Sequence, residues 1–195
     1  MVKVKLTTKV DSDILVVGLT KVNNKLQIES NGAQLESVSL LATLTAIGAT
    51  AKADEVIKLP GKNTKLVIFT GLGDGSSNLN AETLRRAAGA AARELHGNKM
   101  ATFALPHKSV VELSAIAEGA ALGSYTFTEF LGNTKAEQKA PLGSVSVYSK
   151  FTETAQAKAA AKRAEIIAEQ TFLVRSEEHT SNSSHEIPSR MPSSA

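Results

Sequence analysis

The chain has 195 residues, a net charge of +3 at pH 7, no cysteine, and 42% hydrophobic residues. That length suffices for one domain with a substantial core, and the lack of cysteine excludes disulfides and thiolate metal sites. No apolar run approaches the roughly 20 residues of a membrane span, and no apolar signal segment follows Met1-Val2-Lys3-Val4-Lys5, so the expected location is the cytoplasm, with no membrane partner.

The first segments read as strands. Val2 to Leu6 alternates with period two, Ile14 to Leu19 is a continuous apolar run, and Lys25 to Glu29 alternates again after the turn signal Asn23-Asn24. A helix is expected from Leu35 to Ile47, with Leu40, Leu41, Leu44 and Ile47 on one face and Gly48 as its stop. Two strands follow, Glu55 to Leu59, closed by Pro60-Gly61, and Lys65 to Phe69. The next helix carries the clearest signals: Asn80 as cap, Glu82 and Arg86 as an i,i+4 pair, Leu84, Ala88, Ala91 and Leu95 on a shared face, and Gly97 at its end.

Met100 to Leu105 is a strand stopped by Pro106, and Ser109-Val110-Val111-Glu112 is a capping box opening a helix that runs to Gly123. A last strand covers Ser144 to Tyr148, and an Ala-rich helix from Thr154 to Val174 leaves the domain. Alternating strands and helices predict an α/β layered fold, and the opening hairpin makes the sheet mixed.

From Ser176 to Ala195 the composition turns serine-rich and cannot build a core. The run Arg175-Ser176-Glu177-Glu178-His179-Thr180-Ser181 resembles a translated sequencing-library adapter, so residues 176–195 are set aside as a non-native or disordered tail. The expected organisation is a domain over 1–152, a helix over 153–175 leading out of it, and the tail.

Few residues carry a chemical signal. Thr70-Gly71-Leu72-Gly73-Asp74-Gly75-Ser76-Ser77 lies between a strand and a helix, where glycine-rich backbone can cradle phosphate. The spacing lacks the Rossmann third glycine, no P-loop Lys-Ser or Lys-Thr follows, and Asp74 opposes an anion, so a tight turn is the default. His96 sits at a helix C-terminus and His107 follows Pro106, and neither has a partner at ligand spacing. The basic residues Lys3, Lys5, Lys9, Arg85, Arg86, Arg93, Lys158, Lys162 and Arg163 form no dense cluster and read as solvated surface. No residue is assigned as catalytic, cofactor-binding or metal-binding.

Three stretches, Glu82 to Arg93, Glu118 to Phe127 and Lys158 to Val174, together with Gly71-Leu72-Gly73 and Leu41 to Glu55, resemble the N-terminal domain of the leucyl (cytosol) aminopeptidases. Physically these motifs read as packing: the small residues of Glu118-Gly119-Ala120-Ala121-Leu122-Gly123 let a helix approach a sheet, Tyr125 and Phe127 fill the space beyond, and Glu118 makes a helix-end hydrogen bond.

The resemblance implies a three-layer α/β/α, macro-domain-like fold, followed in the complete enzyme by a catalytic domain that uses two divalent metal ions, Zn or Mn. It also implies homo-hexamers and, in some relatives, DNA binding. The family's catalytic domain opens with an Asp-Leu-Val-Asn-Thr-Pro-like run. This chain shows Ser176-Glu177-Glu178-His179 instead, so it is expected to be a fragment cut at the domain junction, inactive by itself, with Ile166, Ile167, Phe172 and Leu173 facing the absent catalytic domain. Two alternatives remain open, a stand-alone module for ADP-ribose-like nucleotides using the Gly71 to Ser77 loop, and a DNA-binding domain.

Overall fold

A computed structural model of the chain describes residues 2–75, 79–125 and 139–181, with side chains of the last stretch as far as residue 175. Seven strands and four helices occur among these residues: β1 (Lys3–Thr7), β2 (Ile14–Val22), β3 (Lys25–Glu29), α1 (Ser37–Ala46), β4 (Val56–Pro60), β5 (Leu66–Gly73), α2 (Ala81–Arg93), β6 (Met100–Ala104), α3 (Val110–Gly123), β7 (Ser144–Tyr148) and α4 (Ala155–Ser181). The Ser76, Ser77, Thr126, Phe127 and 182–195 positions invoked above lie outside the described residues.

The strands form one mixed sheet in the order β1-β7-β6-β2-β5-β4, with β3 paired to the far end of β2. The pairs β1–β7, β7–β6, β6–β2 and β2–β5 are parallel, whereas β3 and β4 run antiparallel to β2 and β5. The β2–β3 hairpin turns on Asn23 (φ 47°) and Asn24 (φ 63°). Positive φ at both central positions is the type I′ geometry, whose twist matches the flanking strands, and Asn tolerates it better than most residues.

Period-two alternation divides the sheet between two cores. Val16, Ile68, Phe103, Val145 and Val147 face α2, α3 and α4, while Leu15, Val17, Leu19, Val67 and Phe69 face α1. The result is the expected three-layer α/β/α arrangement. Helix α1 has no side-chain hydrogen bond at its N-cap and is held by tertiary burial. Leu40 and Leu44 are its buried residues, each contributing about 1.5–3 kcal/mol, and Ile47, expected on the same face, is 55% exposed. The helix has ended at Ala46, so Ile47 lies past the last turn.

The three helices on the other face touch through small residues. A Cβ on Gly119 would overlap the carbonyl oxygen of Arg85, and one on Gly123 would overlap that of Gly89. The glycines therefore seat α3 against α2. This corrects the expectation that they seat it against the sheet, where Ala117, Ala120 and Ala121 are the small residues within the core.

The remaining local signals hold with two shifts. Asn80 Oδ1 accepts from Thr83 N at 2.7 Å, and Ser109 Oγ accepts from Glu112 N at 3.3 Å, so both caps form. The Glu112 carboxylate reaches back to Lys108 N, one residue ahead of the cap. Arg86 does not pair with Glu82. It takes Asp54, with Nε 2.9 and 3.0 Å from the two carboxylate oxygens, while Glu82 pairs with Arg85 one residue earlier. A planar fork with two acceptors outcompetes a single-point i,i+4 contact.

Along helix α4, Ala157, Ala160, Ala161, Ala164 and Ala168 join the core beside α3 and β1. Its backbone also continues to Ser181, into the stretch set aside as tail. Phe172, expected on an outward face, packs on Tyr125 with ring centroids 4.8 Å apart, whereas Ile166, Leu173 and Val174 are 48%, 52% and 52% exposed.

Candidate functional site

Open parallel sheets bind ligands at the carboxyl ends of their strands, where successive connections diverge. Here that crevice lies beyond β2, β5 and β6 and forms a hollow of ≈ 540 Å³ lined by Thr20, Asn31, Gly75, His107, Lys108 and Glu112 among others. The glycine-rich segment reaches its rim.

Gly71 and Gly73 belong to β5, so the default of a tight turn there is corrected to a strand that runs on. The loop between α1 and β4 crosses them. Gly71 N donates to Glu55 O at 2.9 Å and Gly73 N to Ala51 O at 2.8 Å. Those amides are therefore taken by backbone carbonyls and offer no phosphate cradle. Gly71 has no room for a Cβ against Lys52 O, and Gly75 has none against Val22. At the neighbouring α3 N-terminus the Ser109 hydroxyl takes the Glu112 amide and the Glu112 carboxylate takes the Lys108 amide, and that carboxylate opposes an anion.

His107 follows Pro106 on the same rim. Its Nδ1 lies 3.0 Å from Leu105 O, and its Nε2 lies 2.9 Å from Ser149 Oγ. A neutral ring with the proton on Nδ1 satisfies both, since Nδ1–H donates to the carbonyl and Nε2 accepts from the hydroxyl. Burial pushes the imidazole below its ordinary value of 6.5, opposed in part by the Leu105 hydrogen bond and Glu112. A Ser–His contact suggests a nucleophile pair. Ser149, however, is 1% exposed, its Oγ accepts from Phe151 N at 3.0 Å, and the atom orienting the ring is a carbonyl instead of a carboxylate. The pair ties the end of β6 to the end of β7. Residue spacing gave no hint of Ser149, which lies 42 positions away.

Among the described residues the most buried carboxylate is Glu118, 7% exposed. It lies inside α3, which corrects the expected helix-end hydrogen bond. Arg163 Nη2 of α4 donates at 2.6 Å, Arg85 Nη2 of α2 at 3.2 Å and Ser114 Oγ at 3.0 Å. Burial raises its pKa, but the bonds from Arg163, Ser114 and Arg85 outweigh that and hold it below its ordinary 4.5. A carboxylate kept charged by two guanidinium groups is a structural node, and it is a poor general base at neutral pH.

Among the described residues, no group of three or more His, Asp or Glu side chains is arranged to hold a metal ion. Glu118 is held by arginines and His107 by Leu105 and Ser149, and with no such group the described residues do not fit a two-metal centre. No helix among them is long and apolar enough to cross a membrane. Lys58, Lys62, Lys65, Arg85, Arg86, Lys158, Lys162 and Arg163 each sit in an ion pair.

With these side chains committed to structure, family membership rests on the whole sequence. The family model described as "Cytosol aminopeptidase family, N-terminal domain" matches residues 14–134. The chain belongs to the cytosol aminopeptidase family. A probable cytosol aminopeptidase of Streptomyces griseus is 43% identical over 131 residues, covering 62% of this chain and 25% of that protein. One from Leifsonia xyli is 34% identical over 170 residues, covering 87% of this chain and 32% of that protein.

Among solved structures, the bottromycin maturation enzyme BotP in complex with Mn matches with TM-score 0.58 at 24% identity, over 85% of this chain and 31% of that one. A tomato leucine aminopeptidase mutant matches with TM-score 0.57 at 18% identity, over 86% and 36%. At those identities the structures share the fold. The chain thus spans about a quarter to a third of the length of the cytosol aminopeptidases it matches.

Proposed function

We propose that this chain is the non-catalytic N-terminal domain of a cytosolic leucyl aminopeptidase, and that hydrolysis in the whole protein uses two divalent metal ions held outside residues 1–175. The carrying observation is the match of an N-terminal-domain family model to residues 14–134, alongside relatives of which the chain covers only 25% and 32%. The engaged state of Glu118 and His107 supports the reading, because neither is free to bind a metal or move a proton to substrate. On this proposal the domain's partners are the catalytic part of its own protein and the other subunits of a homo-hexamer.

Two proteins test it together. The purified chain with added Mn²⁺ or Zn²⁺ is expected not to hydrolyse leucine p-nitroanilide. A chimera of the Streptomyces griseus relative carrying this chain's residues 1–175 in place of its own N-terminal domain is expected to retain metal-dependent hydrolysis. Metal-dependent turnover that follows the isolated chain through purification would overturn the proposal.

A further inference from the structure

We infer that α4 is a strap that opens as a unit from an otherwise intact domain, and that two carboxylates, Glu118 and Glu165, pin it shut. Its buried apolar contacts are made mostly by the shortest side chains. The residues it places in the core are the alanines 157, 160, 161, 164 and 168, helped by the partly buried Phe172, whereas α1 secures itself with two buried leucines. An alanine methyl buries far less area than a leucine side chain. Helix α4 lies on α3 and β1 and takes no part in the sheet ladder.

Two polar contacts add direction. Arg163 Nη2 reaches into the α2–α3 seam to Glu118 and lies 3.0 Å from Ser114 Oγ. The second is a single bond: Glu165 Oε1 accepts from Val4 N at 2.8 Å, on β1 at the edge of the sheet.

Both pins break into groups that remain satisfied, which is why opening is cheap. When Arg163 leaves, Glu118 keeps Arg85 and Ser114, so no buried charge is stranded. The Arg163 side chain is already 63% exposed and returns to water, as do Glu165 and the edge amide of Val4. The connection before the helix holds itself together: Ser149 Oγ accepts from Phe151 N, Thr154 Oγ1 donates to Phe151 O, and Thr154 Oγ1 caps Ala157 N. A turn that keeps its own hydrogen bonds when the helix leaves makes a hinge. Opening uncovers the α3 face and the β1 edge.

Hydrogen exchange read by mass spectrometry tests this on the whole chain, comparing the unaltered protein with Arg163→Gln, Glu165→Gln and the double variant. The α4 amides are expected to exchange through an opening with a urea slope smaller than that of global unfolding, ahead of those of α2, β5 and β6. Each single substitution should speed α4 exchange about two- to tenfold, the double variant more, with α2, β5 and β6 unchanged. Exchange of α4 in step with the sheet would overturn the strap, and early α4 exchange that neither substitution alters would overturn the pins.

Discussion

Gly71 lies so close beneath the carbonyl of Lys52 that a Cβ placed on it would overlap that oxygen. The contact belongs to the crossing of the α1–β4 loop over β5, which the bonds from Gly71 N to Glu55 O and from Gly73 N to Ala51 O hold in place. Gly71→Ala forces backbone against backbone, which side-chain rearrangement cannot relieve. The expected loss is about 1–3 kcal/mol, the usual cost of overpacking, read as a lower urea midpoint with the slope retained. An unchanged midpoint would mean that the loop yields freely.

The α3 cap gives a second outcome. Ser109 Oγ is the acceptor for Glu112 N, so Ser109→Ala should destabilise by about 0.5–2 kcal/mol. Ser109→Asp restores an acceptor and should recover most of the loss in the same denaturant titration. Equal stability of the serine and alanine proteins would rule out a contribution from the cap.

His107 predicts a pH dependence. Its folded pKa lies below 6.5 because burial disfavours the charged ring, so the unfolded chain binds the proton more readily. No penalty exists well above pH 6.5. As pH falls below 6.5, unfolding is favoured until the folded pKa is passed and the loss levels off. Urea midpoints taken from pH 7.5 downward should show this decline, and His107→Gln should remove its share. The same slope in both proteins would exclude the histidine as the source.

Phe172 and Leu173 are neighbours with opposite roles. Phe172 packs on Tyr125 and against the core, while Leu173 is 52% exposed. Phe172→Ala should cost on the order of 1–3 kcal/mol, less than a fully buried aromatic because the ring is half-buried, and Leu173→Ala should stay within about 0.5 kcal/mol of the parent. Thermal unfolding distinguishes them, and a larger effect at Leu173 would contradict the described face of α4.

What was legible in the residues was local. The Asn80 and Ser109 caps, the Asn23-Asn24 turn and the alternation in β1 and β3 depend on neighbours a few positions away, and all formed. Arg86 departed from its reading because Asp54, 32 positions earlier, is brought beside it by the loop that crosses β5. Glycine 71 misled for the same reason. A glycine that admits a ligand and one that admits another stretch of backbone are identical in sequence, and only the crossing tells them apart. The Glu118 node and the His107–Ser149 contact likewise join residues whose proximity the topology creates.

Where α2 meets α3 the contact is made by glycine: Gly119 and Gly123 lie against the backbone of Arg85 and Gly89. A substitution there adds atoms where backbones already touch. Within the same core, Leu84 on α2, Leu113 and Ile116 on α3 and Phe103 on β6 are fully buried, and truncating any of them leaves a cavity. One layer is thus constrained in opposite directions at neighbouring positions, by an upper bound on side-chain size between the helices and by a lower one in the core they share.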